Sequence, residues 1–298
     1  MTLNEVYLQG KKILSEAGCD APAFDAMRIF EMCFNLTRQD IILLRDAFAN
    51  ETDASKFFEL IRQRAAGRPL QYILGHWGFM GNKFKIGEGV LIPRDDTEVL
   101  VNATLECVKD VNAPRILDLC TGPGTIAITL AKQRPDATVV AVELSEVALS
   151  YLEENIRLNG VKNVTSLQFD VLLGYDSFEY DNFDIIVSNP PYIPTSDLNG
   201  LQLEVQNEPQ MALDGGNDGL KFYRAIAKDW IKWLKNDGHI CVEVGQGQAQ
   251  DVNAIFENVG LSNITIKLDL NEIERVVQAK KALLNSGICK RIPRKIKL

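Results

Sequence analysis

The sequence predicts an α/β protein in three parts: a small all-helical domain over residues 1–75, a β-hairpin connector over 76–96, and a doubly wound domain over 97–298 with a parallel sheet and helices on both faces. Three observations predict it. From residue 97 onward, strand and helix periodicities alternate, the signature of βαβ units. Residues 1–75 show helix-spaced apolar stripes and no strand alternation. Between them lie two short strand-like runs and a set of glycines. A length of 298 residues agrees with such a division, given about 150 residues per domain.

The elements follow in order. Leu3, Val6, Tyr7, Ile13, Leu14 and Ala17 make a first helical stripe that stops at Gly18. After Asp20 as cap, Ala23, Met27, Phe30 and Phe34 make a second. A short third pattern spans Ile41 to Phe48, and Thr52 or Asp53 can cap a fourth helix carrying Phe57, Leu60, Ile61 and Ala65, closed by Gly67 with Pro69 beyond it. Trp77 to Met80 and Lys83 to Ile86 flank Gly81-Asn82 as a hairpin turn. The alternation then runs helix 97–109, strand Arg115 to Leu119, helix 124–133, strand Thr138 to Val142, helix 146–159, and strands near Thr165 to Phe169 and Asp184 to Ser188. A loop at 192–218 precedes helix 219–235, strand His239 to Val244, helix 247–258, and strands near Ile264 to Leu268 and Arg275 to Ala279.

Composition narrows the function classes. With 46% hydrophobic and 24% charged residues, the chain can bury a core and is not of a disordered class. It has no apolar run near the ~20 residues needed to span a bilayer, and its start lacks a signal-peptide stretch, so the cytoplasm is the expected location. Six scattered cysteines without a CxxC pair read as free thiols. His76 and His239 read as structural, and no metal site is expected. The net charge is −8, and residues 111–289 hold 14 Lys+Arg against 24 Asp+Glu, while Lys290 to Lys297 form a basic tail. An acidic body is a poor match for duplex nucleic acid, whose binding rests on Lys and Arg neutralising phosphates.

The chemistry sits at two strand ends. Strand Ile116 to Leu119 runs into Cys120-Thr121-Gly122-Pro123-Gly124 and then a helix, a junction where glycines let a ligand approach the backbone and the helix start offers free N–H groups. Glu143 ends the next strand, where an acidic side chain accepts hydrogen bonds from ribose hydroxyls. Ala127 three residues after Gly124 leaves the dinucleotide fingerprint open. Asp118, suited to a ligand's ammonium, favours S-adenosyl-L-methionine. The second end is Asp184-Ile185-Ile186-Val187-Ser188-Asn189-Pro190-Pro191-Tyr192. Two prolines fix the backbone, so the Pro190 carbonyl and the Asn189 side-chain oxygen offer two acceptors to one planar amino group. Such a nitrogen has its lone pair conjugated, and orientation beside an electrophilic methyl is what it lacks. Tyr192 supplies a face for the planar target.

Asn-Pro-Pro-Tyr occurs in methyltransferases acting on planar amino or amide nitrogens. The flanking text is more specific. Arg68-Pro69-Leu70-Gln71-Tyr72-Ile73-Leu74-Gly75, Phe79-Met80-Gly81, Val90 to Arg94 with Thr97-Glu98, Glu208-Pro209, Ala212 to Gly216, Asp218-Gly219-Leu220, Tyr223-Arg224, Glu243-Val244-Gly245 and Arg275-Val276-Val277 closely resemble the methyltransferases that modify the glutamine of peptide chain release factors. The resemblance runs from about residue 3 to 281. It implies a Rossmann-like methyltransferase domain that uses S-adenosyl-L-methionine to methylate N5 of the glutamine in the Gly-Gly-Gln motif of class 1 release factors, supporting translation termination, with the helical domain helping to hold the factor. By position, Asp118, Cys120, Thr121, Gly122, Pro123, Gly124 and Glu143 would bind the cofactor, Asp170 and Val171 would flank its adenine, and Asn189 to Tyr192 would bind the glutamine amide, Asn189 touching both ligands.

The sequence departs from the family's usual pattern at Cys120, commonly Gly, at Pro123, commonly Thr or Ser, at Glu143, commonly Asp, and at Asp95-Asp96, commonly Pro-Glu. Cys120 reads as a small residue filling a turn, a redox handle being the alternative. Two rival functions are an adenine-N6 methyltransferase acting on a flipped base and a non-catalytic cofactor-binding protein. The first would call for a basic reading surface, but residues 1–75 carry 9 Lys+Arg against 10 Asp+Glu. The intact Asn189 to Tyr192 argues against the second.

Overall fold

A computed structural model describes residues 1–174 and 182–282; Cys289 and the basic run 290–297 lie outside the described residues. Five helices come first: α1 (Leu3–Glu16), α2 (Pro22–Phe34), α3 (Arg38–Leu43), α4 (Glu51–Ala65) and α5 (Leu70–Leu74). Their inward faces meet in one core, where Val6, Leu14, Ile29, Phe30, Phe57 and Ile61 have no exposed surface. Gly10 permits this contact, since a Cβ there would collide with the Phe57 ring.

The caps differ from expectation. Ala21, not Asp20, precedes α2 and has no side-chain acceptor to cap it, while Pro22 in the first turn presets the helical φ. Asn50 caps α4 by accepting from the amides of Thr52 and Asp53, the two residues expected to cap. A capping box between Thr37 and Asp40 starts α3 early. The chain after α3 turns back so that Phe48 bridges Thr2, which leaves Ile41 buried but Leu43 and Phe48 exposed.

The hairpin pairs β1 (His76–Phe79) with β2 (Asn82–Lys85). Phe79 faces Asn82, so the two turn residues are Met80 and Gly81, both at positive φ (44° and 74°), rather than Gly81-Asn82. A primed turn needs both central residues there to match the strand twist.

The second layer system comprises α6 (Thr97–Cys107), β3 (Arg115–Leu119), α7 (Thr125–Gln133), β4 (Thr138–Glu143), α8 (Glu146–Asn159), β5 (Val164–Gln168), β6 (Phe183–Ser188), α9 (Leu203–Gln206), α10 (Lys221–Ala225), β7 (Leu234–Glu243), α11 (Ala249–Asn258), β8 (Leu261–Leu268) and β9 (Glu274–Lys281). The strands form a seven-stranded sheet in the order β5-β4-β3-β6-β7-β9-β8. Only β9 runs against the others, antiparallel to both β7 and β8. Successive residues of a strand face opposite sides. Accordingly Ile116, Val139, Ile185 and Cys241 join a core with α6, α7 and α8, and Leu117, Val140, Ile186 and Ile240 join one with α10 and α11. Burial on both faces explains why these strands read as continuous apolar runs.

Helix 219–235 of the sequence reading is shorter in the structure. α10 passes into a wide π-type turn over Ile226–Trp230 and a tight turn over Ile231–Trp233. Strand β7 already begins at Leu234, with a register shift between the pairs Phe183↔Leu234 and Ile185↔His239. Asp237, at φ 68°, and Gly238 lie in the irregular stretch between those pairs, so the segment between the expected helix and strand belongs to a kinked strand. Among the described residues no helix is long and apolar enough to cross a membrane.

Candidate active site

The carboxyl ends of β3, β4 and β6 open onto one cavity of about 300 Å³, at the low end of small-molecule sites and at the side of a parallel sheet where such folds bind ligands. Cys120, Thr121, Gly122, Pro123, Glu143, Asp170, Val171, Asn189 and Pro191 all line it. The connector adds Arg94 and the start of α6 adds Thr97, while Pro209, Met211 and Ala212 come from the segment after β6.

The loop after β3 is held from below. Gly122 lies at φ 57° and Gly124 at φ 87°. A Cβ on Gly122 would meet no atom within 4 Å, whereas one on Gly124 would collide with Leu152 of α8. Gly122 therefore leaves space on the cavity side, and Gly124 lets α7 pack. Cys120 also sits at positive φ, 59°, a region where a side chain costs about 1 kcal/mol; this is the position that is commonly Gly in the family pattern. Burial pushes its thiol pKa well up, which disfavours the thiolate.

Glu143 accepts three backbone hydrogen bonds at 2.8 Å: Gly122 on Oε2, Leu144 and Ser145 on Oε1. A carboxylate has about four acceptor positions, so Glu143 ties the two loops together and keeps acceptor capacity toward the cavity. Asp170 accepts from the Leu172 amide at 2.8 Å, which closes the turn that carries Val171.

Asp118, Gly124, Pro190 and Tyr192 do not line the cavity. Asp118 is fully buried; its Oδ2 accepts from the Thr121 hydroxyl at 2.5 Å and the Ala127 amide at 3.1 Å. It braces the loop, and burial pushes its pKa up to about 7. Pro190 is buried. Tyr192, expected to offer a ring face, instead turns its hydroxyl to within 3.5 Å of Glu243 Oε1, and its carbonyl accepts from Gln248 at 2.8 Å. Its backbone is pressed against Gly215, where a Cβ would come within 2.7 Å of it.

Four polar residues that matter here were given no role from the sequence alone. Glu208, 5% exposed, accepts from the Ile92 amide at 2.9 Å and pairs with Arg94, fastening the segment after β6 to the connector. Thr97 and Glu243 surround the Asn189 side chain: the Asn189 amide donates to Thr97 Oγ1 at 3.3 Å. A charged residue ending the apolar run Ile240 to Glu243 was the available signal. Asp96, one of the two departures in the connector, pairs with Arg275 at 2.8 Å. Among the described residues Cys19, Cys33, Cys107 and Cys241 are free thiols as well.

Residues 5–75 match the family described as the PrmC N-terminal domain, and residues 95–204 match the Methyltransferase small domain. The catalytic domain of hMettl16, solved in complex with MAT2A 3'UTR hairpin 1, superposes with a TM-score of 0.54 at 12% identity, covering 80% of this chain and 82% of that one, and so shares the fold. Among curated proteins, the release factor glutamine methyltransferase of Thermodesulfovibrio yellowstonii is 43% identical over 75% of this chain and 80% of its own length. That of Geobacter sulfurreducens is 38% identical over 93% and 95%, and that of Fusobacterium nucleatum 36% identical over 94% and 79%. Identity at this level over three quarters or more of each chain shows that this protein is a methyltransferase belonging to the release factor glutamine methyltransferase family.

Proposed function

We propose that this enzyme methylates N5 of the glutamine side chain in the Gly-Gly-Gln motif of class 1 peptide chain release factors, in the cytoplasm, with S-adenosyl-L-methionine as donor. The observation that carries the reading is Asn189 on the wall of a cavity shared with the Cys120 to Gly124 loop and Glu143. The cavity suits this cofactor in shape and polarity: open space above Gly122, a carboxylate at Glu143 for a diol, and Val171 with Phe169 as apolar walls. When bound there, S-adenosyl-L-methionine supplies an electrophilic methyl on a sulfonium.

The chain's residues do the rest. Asn189 Oδ1 and the Pro190 carbonyl accept the two N–H groups of the glutamine amide, fixing its plane and raising the electron density on nitrogen. No hydrogen bond to the Pro190 carbonyl occurs among the described residues, although Pro190 is buried next to the cavity wall rather than part of it. The amide nitrogen would gain the methyl carbon as the donor's carbon–sulfur bond breaks, its electron pair staying on sulfur in S-adenosyl-L-homocysteine, and would lose a proton to solvent, so orientation, not a strong base, is the catalytic contribution. Arg94 and Glu208 hold the segment that borders the site, and residues 1–75 supply surface for the release factor. The acidic balance of residues 111–289, 14 Lys+Arg against 24 Asp+Glu, weighs against nucleic acid as the substrate.

The test is peptide mapping by mass spectrometry of an unmethylated release factor incubated with the enzyme and S-adenosyl-L-methionine. One added methyl on the Gly-Gly-Gln glutamine, absent from a Gln→Ala factor, is expected. Methyl transfer to adenine-containing DNA or RNA instead would overturn the reading.

A further inference from the structure

Strands β6 and β7 are parallel neighbours, and their last registered pair is Ser188↔Val242. The next residue on each strand is therefore Asn189 on one and Glu243 on the other, side by side at the sheet end. Thr97, the first residue of α6, is 4% exposed beside them, and Glu243 is 1% exposed. The Thr97 hydroxyl and the Asn189 carboxamide both approach the Glu243 carboxylate. Its Oε1 is 3.5 Å from the Tyr192 hydroxyl, and its Oε2 has no hydrogen-bond partner of good geometry. The Tyr223 hydroxyl donates to the backbone carbonyl of Glu243 at 2.8 Å, fixing the strand end.

No structural ion pair accounts for this buried carboxylate. The Arg275 charge acts on it, but the Arg275 guanidinium bonds Asp96 at 2.8 Å and Asp269 at 2.9 Å. A neutral side chain would avoid the desolvation penalty of a carboxylate in this place. What the carboxylate does impose is polarity. A primary carboxamide has one acceptor end and one donor end of nearly equal size, and its surroundings decide which way it points. On the Glu243 side Asn189 meets a carboxylate, which only accepts, and a threonine hydroxyl whose own proton can go to that carboxylate. Only the Asn189 NH2 group satisfies both.

We propose that Glu243, acting with Thr97, is a positioning residue that locks the Asn189 carboxamide with its carbonyl oxygen toward the cavity, where it can accept from a substrate amide N–H. The inference rests on the reading of Asn189 given above. A reversed carboxamide would face the substrate NH2 with its own NH2, donor against donor, and the substrate would lose its orientation. Burial holds the Glu243 pKa up to about 7, with lesser opposing effects from Thr97 and Arg275 and a raising one from Asp96. The titratable and charged groups around it are Asp96 at the start of α6, Arg275 on β9, Tyr192 after β6 and Tyr223 on α10. A protonated Glu243 can donate to Asn189 Oδ1 and release the lock, so methyl transfer should fall off below about pH 7.

The experiment compares Glu243→Gln, Thr97→Val, Thr97→Ser and Asn189→Ala with wild type, using methyl transfer to an unmethylated release factor, calorimetric affinity for S-adenosyl-L-methionine, and thermal unfolding. Glu243→Gln is expected to lower kcat about 100-fold, the loss that misplacing one orienting group produces, with KM and cofactor affinity nearly unchanged. Its residual rate should lack the fall below pH 7 seen in wild type. Thr97→Val should lower kcat about 10-fold, and Thr97→Ser, which restores the hydroxyl, should recover most of that. Wild-type kcat in Glu243→Gln, or an acid limb that persists in it, overturns the proposal. If Glu243→Gln does not fold, equal kcat in Thr97→Val and Thr97→Ser overturns it. Full activity in Asn189→Ala removes the underlying reading of Asn189, whereas an inactive Asn189→Ala beside an active Glu243→Gln removes the positioning inference alone.

Discussion

Replacing Asp118 by asparagine removes a titration that sets how this fold responds to pH. Asp118 has no exposed surface, both of its hydrogen bonds fall on Oδ2, and its Oδ1 is buried without a partner. Burial therefore outweighs those bonds and lifts its pKa from 3.8 to about 7. The unfolded chain ionises near 3.8, so between 3.8 and 7 the folded protein holds one more proton than the unfolded chain. Stability is then fully present below pH 3.8 and is lost as pH rises to about 7. At about 1.4 kcal/mol per pKa unit, the rise from 3.8 to about 7 corresponds to about 4 kcal/mol, of which about 3 kcal/mol falls above pH 5. An asparagine oxygen in the place of Oδ2 keeps the bonds to Thr121 and Ala127, and the variant has no proton to lose. Urea unfolding of both proteins from pH 5 to pH 8 should show the variant gaining on wild type by about 3 kcal/mol across that range. Glu243 contributes a slope of the same sign to both, because its pKa is also raised, and so cancels in the difference. Parallel stability curves would refute the reasoning. The same variant should retain its affinity for S-adenosyl-L-methionine at pH 8, since Asp118 does not line the cavity; a large loss would show that Asp118 contacts the cofactor's ammonium after all.

Asn189→Ala should abolish methyl transfer, at least about 100-fold, while leaving the unfolding midpoint close to wild type, because the residue follows β6 rather than filling a core; kcat and melting curves check both parts. Glu143→Ala removes an anchor of three backbone amides and should weaken cofactor binding about 10- to 100-fold by calorimetry, at roughly 1.5–3 kcal/mol for bonds to a charged group. Arg64→Ala leaves Asp25 buried and unpaired. It should cost about 3–5 kcal/mol in urea unfolding, and it also frees Glu204 of α9, which Arg64 holds from the helical domain.

Much of this protein is determined locally and is therefore legible in its sequence. The alternation of strand and helix from residue 97 onward, the glycine loop after β3 and the Asn-Pro-Pro-Tyr end of β6 all rest on short-range backbone preferences. Gly122, Gly124, Pro190 and Pro191 restrict φ, or free it, wherever they stand. Sheet burial on both faces leaves unbroken apolar runs that a reader can see. Helix caps were less legible: Asn50, Thr52 and Asp53 all have capping side chains, and only the course of the backbone selects Asn50. The irregular stretch at Asp237 falls between the expected helix and strand, and only a neighbouring strand pairing on both sides of it makes it part of β7.

The direction of side chains was decided by tertiary structure alone. Asp118 and Tyr192 belong by type and spacing to a ligand site, yet in the folded chain Asp118 bonds Thr121 and Ala127, the Tyr192 hydroxyl approaches Glu243, and neither lines the cavity. Thr97, Asn189 and Glu243 are separated by 92 and 54 positions in sequence. No periodicity relates them. Their meeting depends on β6 and β7 being neighbours in register and on α6 starting at their ends, a long-range arrangement that hydrophobic burial of two sheet faces enforces and that local sequence does not encode.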